Sequence, residues 1–96
     1  MKIENTLKQI EYNKVQSKRL VTNGEQQVNM LSLEKGSELP NHKSTKDATI
    51  IVLEGAMRFT VDRKEYELKA MDTFSFGTAD EHAVLATENV KFLLIQ

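Results

Sequence analysis

The sequence predicts an all-β fold, a sandwich or barrel of antiparallel strands, and three observations carry that reading. From Val28 onward, apolar and polar residues alternate in short segments, the pattern of strands with one buried face. Turn-forming residues separate these segments at the spacing of roughly eight to twelve residues that all-β domains show. No window after Val28 holds a helical period for long.

The elements follow in order. Ile3, Leu7 and Ile10 fit a helical spacing without a convincing cap, which predicts a short helix or loop leading into an edge strand over residues 14–20. Asn23 and Gly24 form the sharpest hairpin signal, because both central positions of a type I′ turn need positive φ. Val28, Met30 and Ser32 then alternate with Asn29, Leu31 and Leu33. Pro40, the one proline, is expected in a polar linker between strands. Met57, Phe59 and Val61 alternate with Arg58, Thr60 and Asp62, and Phe74 and Phe76 alternate with Thr73 and Ser75. The run Asp62, Arg63, Lys64, Glu65 has mixed charge and reads as a solvated hairpin loop. Residues 49–53 and 92–95 are apolar on both faces, so each needs cover on both sides. A second subunit is the economical cover in so short a chain, which predicts a homodimer; the alternative is that the first twenty or so residues fold back over one of these strands.

Composition narrows the function classes. A chain of 96 residues supports one core, so a single domain over 1–96 is expected, with residues 1–20 as lead-in and edge strand and 28–96 as barrel core. Thirteen basic against 14 acidic residues leave no field to draw nucleic acid or anionic lipid. There is no cysteine, so disulfides and thiolate chemistry are excluded, and any metal would need nitrogen and oxygen ligands. The N-terminal stretch has no apolar run of signal-peptide length, and nothing approaches the roughly 20 apolar residues of a membrane span. A cytoplasmic protein is the expectation.

Two stretches carry a family resemblance. Gly36, His42 and Ser44, followed by residues 50–54 and Gly55, resemble the first motif of the cupin family, a glycine, a His-x-His pair, a glutamate and a closing glycine. Met71, Asp72, Phe74, Phe76, Gly77 and His82 are similar to the second motif, which opens with Gly-Asp and closes with a proline turn and a histidine. The resemblance runs over residues 28–96 and more weakly over 14–22. It implies a small single-domain cupin of the conserved-barrel, RmlC-like type: a double-stranded β-helix, or jelly-roll barrel, of two antiparallel sheets around a lumen, commonly dimeric.

In that family three histidines and a glutamate hold a divalent metal. Matched position by position, the ligands fall on His42, Ser44, Ala48 and His82, so two of four are absent. His42 and His82 are the metal candidates if any transition metal binds, although two histidines bind weakly where protein metal sites usually supply at least three ligands. Asp47 lies one residue from the missing carboxylate and would face away in a regular strand. No cofactor is therefore the leading expectation. The preferred reading is a non-catalytic domain that binds or senses a small molecule, with His42, Ser44 and His82 as polar groups of a lumen pocket lined by Ala48, Ile50, Val52, Met57, Phe59, Phe74, Phe76 and Val84. For the apolar residues plain core packing is the simpler account, and for the histidines a structural one, His82 hydrogen-bonded in the core and His42 in a loop beside Pro40. The alternatives are a metal-dependent enzyme of dioxygenase or isomerase type, completed by substrate or Asp47, and a scaffold for dimerisation. Fold alone does not choose among these.

Overall fold

The computed structural model describes residues 6–96 and packs them as two antiparallel sheets over a common core. One turn of helix, α1 (Thr6–Gln9), precedes the strands; Ile3, on which the expected helical spacing partly rests, lies outside the described residues. The strands are β1 (Val15–Asn23), β2 (Gln26–Leu33), β3 (Glu38–Lys43), β4 (Ala48–Glu54), β5 (Ala56–Val61), β6 (Lys64–Lys69), β7 (Thr73–Phe76), β8 (Glu81–Ala86) and β9 (Val90–Ile95). One sheet has the order β1-β2-β9-β4-β7 and the other β3-β8-β5-β6. This is the all-β fold that the alternation and turn spacing predict, in the jelly-roll form that the family resemblance implies.

The inner faces follow the period of two. Ala48, Ile50 and Val52 of β4, Met57, Phe59 and Val61 of β5, and Val84 and Ala86 of β8 are buried in one cluster with Leu31, Leu33, Val90 and Phe92. Burying each large side chain contributes about 1.5–3 kcal/mol, which is what drives two short sheets together. Phe59 is fully buried, and its ring meets Phe74 edge-on at 5.1 Å and Phe76 at 5.3 Å, joining β5 of one sheet to β7 of the other.

The outer face of the five-stranded sheet is partly covered by the chain itself. Met30, Ser32 and Lys91 are buried although their neighbours Leu31 and Phe92 occupy the core side. The Ser32 hydroxyl donates to the Glu11 carbonyl at 3.0 Å, and the Lys91 ammonium sits 5.0 Å above the Tyr12 ring while pairing with Glu54 at 3.4 Å. Glu11 and Tyr12 therefore lie back over β2 and β9 at this end. Ile51, Leu53, Leu93 and Ile95 remain half-buried on the same sheet.

Several turns depart from the expected chemistry. The first hairpin is shifted by one residue: Asn23 pairs with Gln26, so Gly24 and Glu25 are the central pair. Only Gly24 has positive φ, at 63°, which meets the need of a type II′ turn for glycine at its first central position and leaves Asn23 to extend the ladder. The left-handed pair instead occurs in the β5–β6 hairpin, where Asp62 and Arg63 have φ of 49° and 67°. Pro40 is not in a linker but inside β3. A strand accepts it because β3 is the edge of its sheet and the pairing with β8 shifts register between Leu39 and His42, so no ladder bond needs its missing N–H.

At residues 69–72 a tight turn is closed by Asp72 N–H donating to the Lys69 carbonyl, with Met71 at φ 77° in the position where a type II turn favours glycine. The Asp72 carboxylate braces the turn by accepting from Lys69 N–H at 2.8 Å. Met71 is 83% exposed, so nothing in the packing offsets the left-handed backbone.

These angles give two tests by urea denaturation. Met71→Gly and Arg63→Gly should each raise stability by about 0.5–1 kcal/mol, the left-handed cost being partly offset by glycine's entropy in the unfolded chain. Gly36 and Gly55 share similar φ, 88° and 82°, but a Cβ at Gly36 meets nothing within 4 Å, whereas at Gly55 it would lie 1.8 Å from the Asn89 carbonyl oxygen. Gly36→Ala should cost about 1 kcal/mol and Gly55→Ala at least about 3; equal costs would show that the β4–β5 turn yields freely.

Candidate functional site

The site begins with an irregularity in an edge strand. On β3, Leu39 packs against the core and is opposite Val84 of β8, while His42, three residues on, is opposite His82. Strict alternation would turn side chains three apart to opposite faces. One extra residue on β3, taken up between Leu39 and His42, restores His42 to the side occupied by His82, as a β-bulge does. Proline is accommodated at this place because the bulge asks no ladder hydrogen bond of it.

The two imidazoles lie 4.2 Å apart between ring centroids, tilted by 60°. Each is fixed by the carbonyl two residues before it: His42 Nδ1 lies 2.8 Å from the Pro40 carbonyl oxygen and His82 Nδ1 lies 3.2 Å from that of Asp80. A carbonyl oxygen only accepts, so Nδ1 carries the proton on both rings and Nε2 is the acceptor on each neutral imidazole. His42 is exposed, whereas His82 is 6% exposed, between the Phe76 ring at 4.4 Å and the Phe59 ring at 5.9 Å. Burial lowers the His82 pKa below the ordinary histidine value, against the upward pull of the Asp80 carbonyl; charge on His42 lowers it further and the Asp80 carboxylate raises it.

The pair opens on a cleft of about 240 Å³ lined by His42, Lys43, Ser44, Thr45, Phe76, His82, Leu94 and Gln96. A broader depression of about 560 Å³ beside it is bounded by Asp47, Ala48, Thr49, Ser75, Gly77 and Asp80 among others, and shares Phe76 and Gln96 with the first. The expected pocket residues thus divide. His42, Ser44, Phe76 and His82 meet at the cleft, and Ala48 borders the depression. Ile50, Val52, Met57, Phe59 and Val84 lie in the closed core, with Phe74 packed at its edge, so they shape the site from behind without facing its opening. Ala48 is directly opposite Phe76 in the β4–β7 pairing, and the Phe76 ring fills the space toward His82. Lys43, Thr45, Leu94 and Gln96 are the lining groups that sequence reasoning missed; Lys43 and Thr45 simply flank the expected Ser44. The inward alternation of Phe92 and Leu94 was the signal for Leu94; Gln96 follows the last strand and gave none.

The donors do not fit a resident transition metal. Among the described residues no three histidine, cysteine, aspartate or glutamate side chains converge. Asp47 is exposed and borders the depression, where its carboxylate and that of Asp80 each come 3.6 Å from the Cβ position of Gly77. The Ser44 hydroxyl is used within its own loop, donating to the Lys46 carbonyl at 2.6 Å and accepting from Lys46 N–H at 3.2 Å. Two imidazole nitrogens remain, short of the usual three.

Comparison with known proteins agrees with the fold. The cupin domain family matches residues 29–96. A cupin 2 conserved barrel domain protein from Leptotrichia buccalis superposes with a TM-score of 0.87 at 35% identity, covering 96% of this chain and 46% of that one. A conserved protein of unknown function from Streptococcus pyogenes gives 0.85 at 28% identity over 98% of this chain and 84% of its own. A cupin superfamily protein from Desulfitobacterium hafniense gives 0.85 at 22% over 95% and 84%. No curated protein matches.

The His82 environment sets a pH dependence. Above the ordinary histidine value near 6.5 the ring is neutral in both folded and unfolded chains, and its contribution is flat. As pH falls from there through the lowered folded value, the unfolded chain takes the proton first, so stability is lost over that window. Denaturation at pH 7.5 and 5.0 should show a steeper loss for the native protein than for His82→Phe; identical slopes would place the pH response elsewhere.

Proposed function

This chain belongs to the cupin domain family, and from that premise we propose that it is a non-catalytic domain that binds a small molecule at its barrel mouth without a metal. The observation that supports this most is the pair of oriented imidazoles, His42 and His82, facing one cleft that the apolar Phe76 and Leu94 line together with Lys43, Ser44, Thr45 and Gln96. An apolar hollow with a few convergent polar groups is the usual form of a small-ligand site. The deep lumen is occupied by Phe59 and its neighbours, so the ligand sits at the rim.

The partners in this reading are that ligand and a second copy of the chain, with no part for nucleic acid or membrane, in a cytoplasmic setting. Near-balanced charge supports the first exclusion, and no helix among the described residues is long and apolar enough to cross a membrane. The half-buried row of Ile51, Leu53, Leu93 and Ile95 supports a dimer through the five-stranded sheet. The second reading, a metal-dependent dioxygenase or isomerase on a two-histidine site completed by substrate or Asp47, has less support, because Asp47 borders the neighbouring depression and no group of three histidine, cysteine, aspartate or glutamate side chains converges among the described residues.

Titration of the purified protein with manganese, iron, nickel and zinc decides between the two. We expect no stoichiometric metal, and no difference from the His42→Ala/His82→Ala double variant. One metal per chain that the double variant loses would reinstate the enzyme. By light scattering the protein should run as a dimer and Ile51→Lys as a monomer; a native monomer would remove the second copy.

A further inference from the structure

The reading above leaves the ligand unnamed, and the hydrogen-bond polarity of the cleft narrows it. Both Nδ1 atoms are committed to backbone carbonyls, so both neutral rings present Nε2 as an acceptor. His82 is more than nine-tenths buried, yet its Nε2 has no hydrogen-bond partner among the described residues. No fully enclosed side-chain nitrogen or oxygen among the described residues is left unpaired, so this Nε2 opens on the cleft. An aligned acceptor in such a setting calls for a donor from outside the chain.

The remaining lining groups sharpen the requirement. The Ser44 hydroxyl is engaged by Lys46 and lies 3.4 Å from Gln96 Oε1, so it does not supply a free donor to satisfy the imidazoles. Lys43 is exposed, and a solvated ammonium adds little selectivity. A carboxylate would set acceptor against acceptor at both rings. A divalent cation finds two ligands where three are usual. The cleft, at about 240 Å³, is smaller than the roughly 300–1,000 Å³ of drug-sized sites, which leaves room for one ring. The rest of its lining is the apolar Phe76 and Leu94 with the polar Thr45 and Gln96.

Resting on the binding reading, we propose that the cleft between β3 and β8 takes an uncharged vicinal diol on a small ring, its hydroxyls donating to Nε2 of His42 and Nε2 of His82 and its carbon face lying on Phe76 and Leu94. The close approach of the two rings suits donors on adjacent carbons. The same chemistry is offered by an aromatic diol and by the ring of a saccharide.

The test is a titration followed by amide NMR at pH 7.5 with chelator present, using catechol, trans-1,2-cyclohexanediol, guaiacol and benzoate. At least one diol should shift the amides of residues 42–45 and 82. Guaiacol, with one hydroxyl capped, should bind roughly three- to tenfold more weakly than catechol, the value of one neutral hydrogen bond. His42→Phe and His82→Phe, which keep an aromatic ring, should each weaken the diol by a similar factor, an otherwise unchanged spectrum showing that they fold. Catechol binding above cyclohexanediol points to an aromatic source, and the reverse to a saccharide. Equal affinity for guaiacol and catechol, or tighter binding of benzoate than of either diol, overturns the diol and leaves the binding site standing. If none of the four binds, the diol is overturned, and a screen of neutral and charged fragments then shows whether any small-molecule site exists.

Discussion

Phe59 stands where the two sheets meet, and much of the molecule is arranged around that ring. It projects from β5 into contact with Phe74 and Phe76 of β7 and lies within 5.9 Å of His82 on β8. A barrel of this size has an interior that its own side chains can fill, and Phe59 with Met57, Ile50 and Val52 does so. Two consequences follow. Any ligand site is pushed to the rim, and the inner of the two imidazoles is pressed against aromatic carbon, which strips its water and lowers its affinity for a proton.

The fold was legible because its signals are local and repeated. Alternation in residues 57–61 and 48–52 survives almost unchanged as buried and half-buried positions, and that pattern rests only on the pleat. What misled were places where one residue is added or moved. At Asn23 and Gly24 the dipeptide favours one turn, but the register with β2 moved the reversal on by one residue, since cross-strand pairing outweighs a two-residue preference. At Pro40 a linker was the natural reading of proline between apolar runs, yet an edge strand with a bulge satisfies the same missing N–H. Bulges depend on the partner strand, which no single segment encodes.

The candidate site was legible in its residue types and less so in its extent. His42 and His82 are histidines at matching places in two motifs, and the fold brings their rings to 4.2 Å. The expected lining failed to separate core from rim, because alternation says which face a residue takes and not how deep along the barrel it lies. Ala48 illustrates the limit. A small residue at a ligand position suggests a void, but Phe76 across the pair is large enough to occupy the space.

The strand order carries a consequence of a different kind. β9 lies between β2 and β4 in the middle of its sheet, although some sixty residues separate β2 from β9 along the chain. During synthesis, β2 and β4 emerge long before the strand that joins them, and until then each presents an unpaired ladder to the surroundings. The nascent chain is therefore most vulnerable to mispairing with its neighbours on the polysome, and its protection depends on how quickly residues 90–95 clear the ribosome and seal the gap.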